Sequence, residues 1–85
     1  MTRTAIEINL RHTANLTNDR AFLAFGNAYL TRTAYEYGNM EAVKAYIDNA
    51  ADCSVLYRLP LTHKEAKIVM CAICDIDPRK VDIWK

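Results

Sequence analysis

The chain has no long apolar run. Its longest, residues 68–74, counts seven residues, where about 18 to 20 are needed to cross a bilayer, so no membrane partner is expected. Glycine and proline occur only twice each and never side by side, which leaves no flexible linker or low-complexity tract to divide the chain. Cysteine is scarce and odd in number: Cys53, Cys71 and Cys74 do not have the spread of a disulfide framework in a small secreted domain. Glu7 stands where a signal peptide would begin its apolar stretch. Reduced thiols and a cytoplasmic location are expected. Charge of one sign is missing too, since eleven Lys and Arg against ten Asp and Glu leave +1, without the basic surplus usual in a nucleic-acid-binding domain.

Catalytic signatures are also absent. There is no G-x-S-x-G, no phosphate-binding glycine loop and no H-E-x-x-H, so an enzyme is not expected. His12 falls in a polar connection and His63 in the first turn of a helix, where solvent exposure is the simpler reading than a general base. Cys71 and Cys74 form a C-x-x-C, but a redox pair needs its first cysteine at a helix N-terminus, where amides stabilise the thiolate; this pair lies two to three turns inside a helix. Zinc could recruit the three cysteines with His12 or His63, yet a second closely spaced ligand pair is missing. Buried structural thiols are expected, with no metal and no cofactor.

What is present is a folding composition. Ile, Leu, Val and Phe supply 20 of 85 residues, above the level at which chains stay disordered, and the length suits one core. Residues 4–10 alternate through Ile6, Ile8 and Leu10, the period of a half-buried strand. From Asp19 a helix is predicted through Phe22, Phe25 and Tyr29, with Leu23, Leu30, Ala34 and Tyr37 widening its buried stripe, closed at Gly38. Asn39 caps the next helix, whose Val43, Tyr46, Ile47 and Ala50 share a face. Val55, Tyr57 and Leu59 alternate before Pro60 and suggest a second strand. Thr62 and Glu65 form a capping box that opens a helix carrying Ala66, Val69, Met70 and Ile73 inward. Asp77 and Pro78 start a last short helix through Trp84.

The spacing of Ile76, Val81 and Trp84, with Cys71 at a small-residue position and Cys74 at an apolar one, resembles the end of a helix-turn-helix of the phage-repressor kind. That resemblance implies that Arg79, Lys80 and Lys85 face phosphates or base edges, with a homodimer supplying affinity that one short helix lacks. Asp75 stands where such motifs usually carry glycine, and Asp75, Asp77 and Asp82 put repelling charge around the reading helix. Residues 34–52 resemble half of an ankyrin repeat and equally a tetratricopeptide repeat, but one copy cannot bury a continuous core.

Five tyrosines are many for this length. Tyr29 and Tyr46 fall on the inward stripes, whereas Tyr35 and Tyr57 do not, and tyrosine offers rigid apolar area with a polar tip at binding hot spots. The sequence therefore predicts a mainly α, compact four-helix single domain over residues 1–85, with room for a short two-stranded sheet at residues 4–10 and 54–59. It is expected to be a non-enzymatic adaptor or inhibitor that blocks a protein partner sterically, with Tyr35 and Tyr57 as contact residues. Small inhibitors carried by phages and plasmids share this size class, an analogy that no single residue carries. The alternative is a DNA-binding regulator using residues 67–84.

Overall fold

The computed structural model describes residues 2–13 and 19–81. They form five α-helices: α1 Arg3–Thr13, α2 Asp19–Phe25, α3 Ala28–Glu36, α4 Met40–Leu56 and α5 His63–Ile73, followed by one 3-10 turn, Pro78–Lys80. The protein is mainly α, and no strand occurs among the described residues.

The alternation at residues 4–10 is thus a helix and not a strand. Ile6 and Leu10 lie one turn apart and are both buried, so they satisfy a helical period as well as a period of two. Ile8 is the residue that separates the two readings, and it faces water, 51% exposed. Thr2 fixes the helical choice locally by accepting the Ala5 amide at 3.1 Å. The partner strand expected at 54–59 is absent as well, because α4 runs on to Leu56. A lone strand has nothing to pair with.

The helix predicted from Asp19 to Tyr37 is two helices. At Gly26 the backbone turns so tightly that a Cβ would lie 2.7 Å from the Phe22 carbonyl oxygen, which only glycine accommodates. Asn27 then starts α3: its carbonyl accepts both the Thr31 amide and the Thr31 hydroxyl at 2.8 Å, and its side-chain amide donates to Asn49 Oδ1 of α4 at 3.1 Å. The break re-aims the apolar rows. Phe25 is fully buried, while Phe22, Leu23, Leu30 and Tyr37, expected inside, face outward. The inner face of α2 is built of Ala21, Ala24 and Phe25 instead, and its two alanines allow close approach to α4.

α4 is the central helix, with Val43, Ile47, Ala50 and Ala51 fully buried. It packs against α2 and α3 on one side and against α5 on the other, while α1 lies mainly on α5. Asn9 of α1 donates to the Ile73 carbonyl at 3.2 Å, and Lys67 of α5, 8% exposed, reaches Asp48 of α4 at 3.2 Å. The Thr62–Glu65 capping box opens α5 as the sequence predicts, with both reciprocal bonds made.

Three helices stop in the same way. After α3, α4 and α5 the left-handed position is taken by Gly38, Arg58 and Asp75, at φ 76°, 56° and 53°. At each, that residue's amide returns to the carbonyl three positions back, and the next amide to the carbonyl five back: Asn39 to Ala34, Leu59 to Ser54, Ile76 to Cys71. This is the Schellman closure, which satisfies carbonyls that the helix leaves open. Leu59 and Ile76 follow it into the core, which is why the chain at residues 57–59 and 74–76 turns back on the domain.

Candidate functional site

The exposed surface at the end of α4 combines cationic, aromatic and aliphatic side chains. Helix α2 packs on α4, and this brings Arg20 beside Leu56, Tyr57 and Arg58 around an open concavity of about 260 Å³. Leu56 is 71% exposed and Val55 beside it is also out in water. Tyr57, the C-cap of α4, has its ring half-buried against the core. Neither Arg20 nor Arg58 has an ion-pair partner among the described residues.

A larger groove, about 410 Å³, lies between α1 and α3, but its polar groups serve one another. Arg3 sits over the Tyr29 ring at 5.0 Å, and the Tyr29 hydroxyl donates to Glu7 at 2.9 Å. Arg32 donates to Glu36 at 2.9 Å and holds that carboxyl below its ordinary range. Its Nη1 donates to the carbonyls of Cys74 and Asp75, each at 3.0 Å. These groups hold the fold together and leave little for a ligand.

The two tyrosines named from the sequence are not neighbours. Tyr35 lies near the end of α3, half-buried, with the Arg32 guanidinium 5.3 Å from its ring centre. Tyr57 is at the far end of α4 from the α3–α4 turn, and 17 helical residues span about 25 Å. The most exposed aromatic among the described residues is Tyr37, at 85%, which the sequence placed on a buried row. Arg20 and Arg58 were not singled out from the sequence. A signal for Arg58 exists: an apolar residue and then proline after a helix marks a C-terminal closure, and Leu59 and Pro60 supply both.

At the C-terminal corner, Asp75 adopts the left-handed turn, and Ile76 and Val81 are buried as the helix-turn-helix spacing implies. Of the helix expected from Asp77 through Trp84, the described part is a single 3-10 turn, Pro78–Lys80, followed by an extended Val81 at φ −125°. Trp84 and Lys85 lie outside the described residues. Arg79 closes on Asp77, Nη2 to Oδ2 at 3.0 Å with Nε on the same carboxylate, and its hydrogen bonds hold Asp77 below the ordinary carboxylate range. Lys80 is exposed beside this pair. Arg79 and Lys80 therefore share their surface with an acid.

The cysteines do not converge. Cys71 and Cys74 are buried in and just after α5, while Cys53 is half-buried on α4. Burial pushes the Cys71 thiol up to about 11, helped by the Asp77 charge. Burial and then Cys71 push Cys74 up to about 12 against the opposing pull of Arg32. Such thiols are poor nucleophiles at neutral pH. Among the described residues no three of His, Cys, Asp or Glu form a metal-ligand group. His63 contacts Asp52 at 2.8 Å on an exposed edge, and His12 is exposed on α1. No described helix is long and apolar enough to cross a membrane.

Comparison with protein-family models, with curated proteins and with solved structures finds no match to this chain.

Proposed function

We propose that this chain is a protein-binding module, an adaptor or inhibitor without catalytic activity of its own that acts by covering a functional surface of a macromolecular partner. The observation that carries the reading is the apolar surface at the junction of α2 and α4. Phe22 and Leu23 on α2 and Val55 and Leu56 at the end of α4 are all exposed, and Tyr57, beside Leu56 at the concavity, is a ring already held on one side by the core. Large apolar side chains gathered at a surface are the usual mark of an interaction site. A half-buried tyrosine loses little freedom on binding. Tyr35, at the other end of α4, belongs to a separate surface.

The DNA-binding alternative through residues 67–84 has less behind it. Its described second helix is one 3-10 turn, and Arg79 is committed to Asp77.

The test is a tagged capture from a lysate of the native host, with and without nuclease, repeated with Leu56→Ser. A stoichiometric protein that survives nuclease and is lost from the variant is the expected result. Recovery of nucleic acid alone, released at moderate salt, defeats the reading and favours the alternative.

A further inference from the structure

We propose that the concavity formed by Arg20, Leu56, Tyr57 and Arg58 docks an acidic segment of a partner protein, its carboxylates on the two guanidinium groups and an apolar side chain on Leu56. This rests on the protein-binding reading above and names the chemistry of the partner.

Charge complementarity carries the inference. Arg32, Lys67 and Arg79 each lie on an acid of this chain, at 2.9, 3.2 and 3.0 Å. Arg20 and Arg58 have no such partner among the described residues, yet α2 and the end of α4 bring them to the rim of one concavity. Two guanidinium forks there match carboxylates, which they bind bidentately.

Arg58 adds a second observation. It occupies the left-handed position that closes α4, at φ 56°, where glycine is unstrained and Asp or Asn is tolerated but arginine is not favoured. The same closure after α3 uses Gly38, and after α5 uses Asp75. Among the described residues only here is a long cation held at a positive φ, and strain of this kind collects at binding sites.

An acidic peptide fits better than nucleic acid. A duplex presents an unbroken row of phosphates and rewards a row of cations, whereas this site offers two arginines next to Leu56 and Val55, both largely in water. Those apolar groups gain only against a ligand with apolar side chains of its own.

The experiment measures fluorescence anisotropy of a short labelled peptide of Asp, Glu and Leu with the full chain at low salt, beside its Asn, Gln and Leu counterpart and a short DNA duplex. Wild type is expected to bind the acidic peptide, to lose it as salt rises, and to ignore the amide counterpart. Arg20→Ser with Arg58→Gly is expected to weaken binding at least about tenfold. Arg58→Gly alone should melt no lower than wild type, because glycine suits the left-handed position; Arg20→Ser alone, on an exposed helix face, gives an independent reading. Undiminished peptide binding by the double variant overturns the inference, as does tighter arginine-dependent binding of the duplex. In the lysate capture, a partner retained equally by wild type and double variant defeats this site but leaves the protein-binding reading standing. Capture of no protein by wild type defeats both.

Discussion

Arg32 Nη1 on α3 donates to the carbonyl of Cys74 at 3.0 Å, and so ties the second helix of the α2–α3 pair to the end of α5. The same nitrogen reaches the Asp75 carbonyl at 3.0 Å, while Nε holds Glu36. A cation at a helix C-terminus satisfies open carbonyls and the negative end of the helix dipole at once. Arg32→Ala should therefore cost about 2 kcal/mol, measured as a lower urea midpoint at unchanged slope. Lysine at this position should recover only part, since it has no planar fork to divide among Glu36 and two carbonyls. An Arg32→Ala protein as stable as wild type would show that water replaces the guanidinium without loss.

The three left-handed closures make a second prediction with opposite signs in one experiment. No heavy atom lies within 4 Å of a Cβ built on Gly38, so Gly38→Ala meets only the backbone penalty of φ 76° and should destabilise by about 1 kcal/mol. Asp75→Gly removes that kind of penalty at φ 53° and should stabilise by about 0.5 kcal/mol, the gain being reduced by the freedom glycine adds to the unfolded chain. Chemical denaturation of both variants checks the pair. A stabilised Gly38→Ala or a clearly weakened Asp75→Gly contradicts the backbone account.

What the sequence disclosed was local. The Thr62–Glu65 box, the Gly38 closure and the Asn39 cap each depend on residues within one turn, and each is present. The errors came where two periods coincide or where the deciding contact is distant. Ile6 and Leu10 fit a strand and a helix alike, and the choice follows from a cap at Thr2 and from α5, whose Ile73 carbonyl receives Asn9. The split between α2 and α3 turns on one backbone approach at Gly26. For the candidate site, Tyr57 stood out by residue type. The pairing of Arg20 with Arg58 exists only once α2 packs on α4, and no local pattern announces it.

Ser54 is fully buried in α4, and its hydroxyl has no hydrogen-bond partner among the described residues. A buried hydroxyl that gave up water for nothing is a standing cost, and alanine is the better helix former. Ser54→Ala should raise stability by about 1 kcal/mol, seen as a higher melting temperature. A lower one would mean that the hydroxyl has a bond to lose.

The buried thiols set the alkaline limit of the fold. Cys71 is pushed up to about 11 and Cys74 to about 12, in both cases chiefly by burial, whereas thiols of the unfolded chain ionise near 8.5. Between those values the folded chain keeps protons that the unfolded chain has released, so rising pH favours unfolding. Their contribution is complete below about pH 8.5 and is lost as pH climbs toward the folded values, at a limiting slope of roughly 1.4 kcal/mol per pH unit for each thiol. Urea midpoints between about pH 8.5 and 10, below most of the lysine and tyrosine titration, should fall accordingly, and Cys71→Ala should halve the slope. Alkylation gives an independent check at pH 8: half-buried Cys53 should be labelled in the folded protein, while Cys71 and Cys74 should react only in urea. Equal labelling of all three without denaturant would show that α5 opens far more often than its packing against α4 and α1 allows.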